Sequence, residues 1–358
     1  MKTSKEVSAL EKRDIFARLP GGLLPWYEAN RRDLPWRKDK DPYHIWISEI
    51  MLQQTRVEAV KGYYARFLDV LPNVESLAAA DEELLHKLWE GLGYYSRVRN
   101  LKKAANQIME SHGGVFPRTH AEVSALAGIG PYTAGAVCSI AYDLPTPAVD
   151  GNVMRVVSRL TDDATPIDNP AFRKKITESL AAVYPDRAGD FTQALMELGA
   201  TICGPNRKPN CENCPCNGFC LGFARGTAED LPVKKAKPQR RIEEKTVLIL
   251  SCDGFYALRK RPDKGLLAGL WEFPHIPGKP ELSAVITEVE KLGLKPKEIF
   301  RQVEKKHIFT HIEWHMSGVY MEVKECFGDF VWMDADRINE EAALPTAFRQ
   351  FWEETGYV

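Results

Sequence analysis

Four sets of residues in this chain have the types and spacing to do chemistry. Cys203, Cys211, Cys214 and Cys220 follow one another with seven, two and five residues between them, and Cys216 lies inside the last gap. Thiolates are soft ligands that suit zinc or an iron–sulfur cluster, and spacing alone does not choose between the two. Five of the eight cysteines crowd into this stretch of a chain that reads as cytosolic, which points to metal binding rather than disulfides. The same loop carries Arg207 and Lys208, cations suited to phosphate. The second set centres on Glu49, which stands among apolar neighbours in WISEIMLQQT. Helical periodicity puts Glu49, Gln53 and Arg56 on one face. Such a stripe is either a solvated surface or the wall of a pocket. In a pocket, desolvation raises the carboxyl pKa and keeps a proton available.

Asp150 is the third set, in AVDGNV, directly ahead of a helical pattern that it is placed to cap. A capping aspartate is held rigid and ionised, so it can also stabilise an oxocarbenium-like centre on a sugar. The fourth is LAGIGPYTA, residues 126–134. It combines a helix end, the glycines Gly128 and Gly130, and a proline placed to start the next helix. Glycine lets the backbone turn tightly and approach a ligand, and the N–H groups that open the next helix, around Thr133, suit a phosphate.

The elements that must hold these residues fall into two kinds. Up to about residue 225, apolar residues recur at helical spacing over 46–60, 84–92, 101–109, 133–141, 153–160 and 172–183, with short Gly/Pro turns between them. The pattern predicts an all-α domain with a cysteine-rich end. Residues 226–245 read as a linker, the stretch KKAKPQRRIEEK being charged and almost free of apolar side chains. Strand-like runs follow at 246–251, 255–260, 307–311, 314–322 and 330–333, with helical patterns at 282–292 and 344–355. These predict a small α/β domain over 246–358.

Forty-eight basic against forty-nine acidic residues give no global pull toward nucleic acid, so DNA binding requires a local basic face. No apolar run approaches the roughly 18 residues of a membrane span, and the N-terminus lacks the apolar core of a signal peptide.

Four strings in this order, SEIMLQQTRV, WEGLGYYSRVRNL, GIGPYTAGAV and PAVDGNVMRVVSRL, resemble the MutY-type adenine DNA glycosylases of the helix-hairpin-helix (endonuclease III) superfamily. The resemblance covers residues 20–225 strongly and the remainder more loosely. It implies a multidomain protein: an all-α helix-hairpin-helix glycosylase domain over 8–225 with an iron–sulfur loop, then a small α/β Nudix-like domain. It implies a [4Fe–4S] cluster on Cys203, Cys211, Cys214 and Cys220, in a loop one residue longer in its first gap than the family's, with Cys216 as an extra thiol. Glu49 becomes the general acid and Asp150 the nucleophile or cation stabiliser, with Tyr132 and Asn152 as their supports. Trp36, Arg37 and Gln193 fall where the family lines its adenine pocket. Gln54 and the run Leu92, Gly93, Tyr94 fall where it wedges the gap left by the flipped base and probes oxidised guanine. Gly128, Gly130 and Thr133 fall on the DNA backbone.

Members that also cleave the DNA strand carry a lysine where this chain has Tyr132. An amine forms a Schiff base with the sugar and a phenol does not, so base removal without strand cleavage is expected. In the C-terminal part, GLLAGLWEFP resembles the entrance of a Nudix-like domain, but the acidic magnesium-binding box is missing, with only Glu288 and Glu290 in the helix that follows. The resemblance makes this domain a reader of oxidised guanine through a Phe-Ser-His tip, which here is Phe309, Thr310 and His311. The implied partner is double-stranded DNA holding adenine opposite 8-oxoguanine or guanine, with no membrane, for a monomeric, nucleoid-associated bacterial cytoplasmic protein. Two other readings are a strand-cleaving endonuclease III-like enzyme, opposed by Tyr132, and a non-catalytic iron–sulfur DNA-binding protein, which has no use for Glu49 and Asp150.

Overall fold

The computed structural model describes residues 4–205, 208–235 and 239–357, with side chains from Asp14 onward, so Arg207 lies outside the described residues. The chain forms two compact units. One comprises residues 1–79 with 100–236, the other residues 80–99 with 237–358.

The first unit is helical. It contains α1 (Ser4–Asn30), α2 (Pro42–Met51), α3 (Val57–Val70) and α4 (Val74–Ala79). After α5 (Glu82–Leu88), which belongs to the other unit, come α6 (Ser96–His112), α7 (His120–Ser124), α8 (Pro131–Tyr142), α9 (Gly151–Leu160), α10 (Pro170–Ala181), α11 (Ala188–Thr201) and α12 (Leu221–Ala224). The starts follow the capping rules. Asp41 accepts from Tyr43 N and Pro42 opens α2, while Thr119 and Glu122 close a reciprocal capping box on α7. Ile15, Leu19, Leu23 and Tyr27 recur every fourth residue along α1 and are all buried, against a cluster that includes Phe191 and Leu198. Each such side chain contributes about 1.5–3 kcal/mol on burial. That packing carries α1 through Pro20 and Pro25, which is why its sequence does not read as a helix.

Two predicted helices end sooner than their periodicity suggests. The 46–60 pattern breaks after Met51, because Gln54 takes the left-handed conformation (φ +59°) and Arg56 is extended ahead of α3. Arg56 therefore does not share a helix face with Glu49. The 84–92 pattern stops at Leu88, ahead of a turn in which Gly91, Gly93 and Tyr94 all have positive φ.

The second unit is a seven-stranded sheet with helices on both faces. Its strands are β1 (Arg241–Cys252), β2 (Phe255–Lys260), β3 (Trp271–Glu272), β4 (His275–Pro277), β5 (Pro296–Ile308), β6 (Ile312–Val323) and β7 (Val331–Met333). The main order is β3-β2-β1-β6-β5, with β4 on β1 and β7 on β2. β1 and β6 run parallel, in register from Arg241 beside Ile312 to Ser251 beside Glu322. Alternate β1 side chains point to opposite faces. Val247 and Ile249 join the core under α15 (Thr346–Trp352), whereas Leu248, Leu250 and Cys252 join the one under α13 (Leu282–Lys291). Burial on both faces explains the unbroken apolar run. A last short helix, α14 (Ala335–Glu340), packs Ile338 into the α15 core.

Three boundaries differ from the sequence reading. The segment 226–245 is not a free linker: Ala228 and Leu231 are buried in the helical unit, and β1 begins at Arg241. The charged start of β1 is held by its ladder to β6 and by Trp314, whose indole donates to Glu243 (2.9 Å) and lies under Lys245. The run 307–311 is the end of a much longer β5 followed by a turn. Finally, residues 80–99 belong with the C-terminal part. Arg99 donates to the Ala268 carbonyl (2.7 Å), Glu90 accepts from Leu344 N and Arg349, and Glu83 accepts from Trp271.

Candidate active site

Helices α2, α8, α9 and α11 of the first unit surround a cleft of about 1040 Å³. Glu49 comes from α2 and is 5% exposed. Tyr132, in the first turn of α8, donates its phenol to Glu49 Oε2 at 2.6 Å. Asp150 caps α9: Oδ1 accepts from Val153 N (2.8 Å) and Oδ2 from Asn152 Nδ2 (2.6 Å). Both carboxylates line the cleft.

Their environments push them apart. Burial drives Glu49 up to about 7; the Tyr132 hydrogen bond and the Arg37 charge offset only part of this, and the Asp150 charge adds to it. Burial also raises Asp150, but the N–H donors of Val153 and Asn152 and the charge of Arg155 favour its ionised form. Burial thus leaves Glu49 able to hold a proton near neutral pH, while amide donors favour the charge on Asp150. Burial and the two neighbouring carboxylates raise the Tyr132 phenol far above its usual range, so it remains a neutral donor.

One wall of the cleft is a fixed ion-pair set. Arg32 Nε lies 2.6 Å from Glu197 Oε1, and Arg37 Nη2 lies 2.7 Å from Glu197 Oε2. Burial alone would raise the wholly enclosed Glu197, yet the two guanidiniums hold it below its usual range. Trp36 meets Tyr64 edge-on at 5.6 Å. Gln193 lies one helical turn before Glu197 on α11 and lines the same cleft. Glu197 and Arg32 are absent from the sequence reading. The signal was there in the lone charge of ALMELGA, an apolar helix that no glutamate enters without a partner. Arg173, which donates to the Val149 carbonyl (2.7 Å) just ahead of Asp150, belongs to no motif.

The hairpin before α8 is built as its glycines suggest. Gly128 has φ +74°, and a Cβ there would stand 2.5 Å from Asn100 Cβ. Gly130 is the extended N-cap and Pro131 opens the helix. Thr133 is nearly enclosed, its hydroxyl accepting from Gln53 Nε2 at 3.4 Å.

Residues 47–181 match the HhH-GPD superfamily of base excision DNA repair proteins, and residues 245–354 match the NUDIX domain. The chain is 37% identical to an adenine DNA glycosylase of Arabidopsis thaliana, over 84% of this chain and 56% of that one. It is 36% identical to an adenine DNA glycosylase of Mus musculus, over 81% of this chain and 68% of that one. The chain belongs to the adenine DNA glycosylase family. Among solved structures, a thermostable thymine-DNA glycosylase superposes with a TM-score of 0.54 at 29% identity, covering 61% of this chain and 99% of that one. The chain spans little more than half of the Arabidopsis relative's length.

In this adenine DNA glycosylase family member, the second unit brings together two other predicted segments. Leu92 is buried, and Gly93 turns the chain so that Tyr94, at φ +48°, is 48% exposed. A non-glycine residue in that conformation is strained and must be held. Here Trp89 Nε1 (3.1 Å) and Arg97 Nη2 (3.0 Å) both donate to the Gly93 carbonyl. The Tyr94 hydroxyl then meets Thr310 Oγ1 at 3.1 Å. Thr310 is exposed in the β5–β6 turn, His311 is anchored through its carbonyl by Arg241 N, and Phe309 is wedged between His307 and Trp314. Gln54, also left-handed and exposed, borders the cleft of the first unit. The Nudix-like helix α13 offers Glu288, paired with Lys291, and Glu290, which do not form an acidic box.

The cysteine loop packs beside α9. Arg159 Nη1 donates to Cys203 Sγ (3.3 Å) and to the Gly204 carbonyl (3.0 Å). Arg155 bridges toward the cleft, donating to the Cys203 carbonyl (2.9 Å) and to Asn152 Oδ1 (3.0 Å), so that a continuous set of hydrogen bonds links Cys203 to Asp150. Cys216 is enclosed and donates to Cys214, which lowers the Cys214 thiol below its usual range. Lys208 pairs with Glu229 at 3.3 Å. Among the described residues, no three or more ligating side chains converge tightly enough for a single metal ion. Nor is any described helix long and apolar enough to cross a membrane.

Proposed function

We propose that this protein hydrolyses the N-glycosidic bond of adenine standing opposite 8-oxoguanine or guanine in double-stranded DNA, leaving an abasic site. The observation that carries this reading is the buried Glu49 that accepts from Tyr132, in one cleft with an Asp150 whose oxygens are held by amide donors. In the reaction, Glu49 gives its proton to a ring nitrogen of the flipped adenine. The bond from the sugar to the base breaks, and the base leaves neutral. Asp150 faces the cationic sugar carbon until water adds and its proton is lost. Asn152 and the α9 N-terminus fix Asp150. Trp36, Arg37 and Gln193 surround the base, with Glu197 and Arg32 setting the position of Arg37. No amine stands at Tyr132, so the DNA strand stays intact.

Lesion reading is assigned to Tyr94 and Thr310, with Phe309 and His311 shaping the turn, and to Gln54 at the cleft border. Leu92 acts from below as packing for the Gly93–Tyr94 turn. Gly128, Gly130 and the backbone at Thr133 take the DNA phosphates. The domain division follows the compact units, a catalytic one and a reading one that includes residues 80–99. Four cysteines in one short loop packed beside α9 supply the soft thiolate set that a [4Fe–4S] cluster takes. Cys203, Cys211, Cys214 and Cys220 would hold it, with Cys216 as a donor to Cys214. The cluster would cross-link the loop, and no step of the reaction is assigned to it. We place the protein in the bacterial cytoplasm as a monomer on the nucleoid.

The test is release of adenine by the purified protein from duplexes with adenine opposite 8-oxoguanine, guanine or thymine. Release from the first two and not the third is expected, from brown protein holding about four iron atoms per chain. Release of another base, or a colourless protein with one zinc, would overturn the corresponding assignment.

A further inference from the structure

The sequence places only two cysteines, Cys252 and Cys326, in residues 80–99 and 237–358, and the fold sets them against each other. Cys252 is the last residue of β1 and is 2% exposed. Cys326 follows β6, three residues past Val323, and is exposed. The parallel register that puts Ser251 beside Glu322 brings the two ends together. The Cys326 thiol donates to the Cys252 carbonyl oxygen at 3.5 Å, and the two thiols are close enough for Cys326 to perturb Cys252. Asp253, held left-handed in the turn after β1, has a carboxylate oxygen 4.0 Å from Cys252 Sγ. One thiol is accessible and the second is buried beside it.

We propose that Cys252 and Cys326 form a two-thiol oxidation site that closes to an intramolecular disulfide on reaction with a small disulfide of the glutathione class. Cys326 reacts first because it alone is accessible. Its thiolate attacks one sulfur of the small disulfide, forming a mixed disulfide and releasing one small thiolate. Cys252 then attacks the Cys326 sulfur as its thiolate, its proton passing to water. The Cys252–Cys326 bond forms, the mixed disulfide breaks, and the second small thiol departs with a proton. Two protein thiols are oxidised and one small disulfide is reduced. Burial pushes the Cys252 thiol up to about 12, so it is inert by itself and acts only as the resolving partner. The bond would tie the end of the central strand to the β6–β7 connection. The β5–β6 turn that carries Thr310 is at the other end of β6, roughly 35 Å away at about 3.3 Å per residue. Oxidation should therefore leave lesion discrimination unchanged.

The experiment uses the full-length protein, incubated with oxidised glutathione, blocked with N-ethylmaleimide, digested and mapped by mass spectrometry. The expected result is a dithiothreitol-sensitive peptide pair linking Cys252 to Cys326. Glutathione retained on Cys326 should be at least about tenfold lower in the wild type than in Cys252→Ser, because resolution is intramolecular. Cys252→Ala, which keeps an apolar group at that position, repeats the comparison if the serine disturbs folding. In Cys326→Ser, Cys252 should stay unmodified. Equal glutathione on Cys326 in the wild type and both Cys252 variants would overturn the proposal. So would an absence of any modification at Cys326, or linkage of Cys326 to the cysteine loop.

Discussion

Glu49 and Asp150 carry the same functional group, and what separates them is which donors their oxygens meet. Glu49 has a phenol and is otherwise enclosed, whereas Asp150 has a backbone and a side-chain N–H. If Glu49 acts as the acid, as proposed, excision should fall as pH rises through about 7, the value to which burial pushes this carboxyl. Single-turnover rates against pH would show that limb in the wild type, and Glu49→Gln should lose about 10²–10⁴-fold below pH 7 and show no such limb, while still binding DNA. The same shift has a stability consequence of definite sign. A carboxyl raised from an ordinary 4.5 to about 7 by folding favours the native state when protonated, and that contribution is lost as pH rises through the folded value. Glu49→Gln should thus be more stable than the wild type at pH 8 by about 1–3 kcal/mol, with the difference vanishing below pH 4.5. Thermal unfolding at the two pH values measures it. A variant no more stable at pH 8 would mean that Glu49 is ionised at no cost, and the acid would have to be sought elsewhere.

At the scale of elements, the position of Asp150 depends on how closely α8 approaches the segment ahead of α9. A Cβ on Gly135 would lie 2.2 Å from the Pro147 carbonyl oxygen, so only glycine allows this approach. Gly135→Ala should displace residues 147–150, cost about 1–3 kcal/mol of stability, and depress excision far more than DNA affinity. Melting and single-turnover rates test this, and normal excision would show that Asp150 does not depend on that contact. The legibility of the sequence follows the same division between local and distant causes. Helices with caps and periodic apolar faces, such as α8 to α10, were readable because their signals are local. α1 was not, since its burial against α11 and α9 outweighs two internal prolines. Glu49, Tyr132 and Asp150 were legible from motif and resemblance. Glu197 and Arg173 were not, because their roles arise from contacts with residues 165 and 24 positions away. The grouping of residues 80–99 with the C-terminal sheet was equally hidden, being decided by ion pairs and carbonyl contacts that leave no periodic trace.

For the whole molecule, that grouping means that the second unit is assembled from two distant stretches of chain, with Tyr94 and Thr310 in contact across them. If the pair reads the lesion together, the effects of Tyr94→Phe and Thr310→Val on discrimination between oxidised and normal guanine should not add. A double-mutant cycle should give a coupling of about 0.5–1.5 kcal/mol, and each single change should reduce selectivity by up to about tenfold. Additive effects would mean independent contacts to the DNA. Discrimination is secondary to the proposed chemistry of the cleft, where a buried acid, an amide-held carboxylate and a phenol in place of an amine would together specify base removal without strand scission. The most direct test is a single-turnover reaction of the purified protein on a duplex with one adenine opposite 8-oxoguanine, divided between alkali, borohydride and no further treatment. Free adenine should appear, with strand breaks only after alkali and no trapped protein–DNA adduct, and Glu49→Gln should release almost none. Strand breaks without alkali, a borohydride-trapped adduct, or near-normal release by Glu49→Gln would contradict the account.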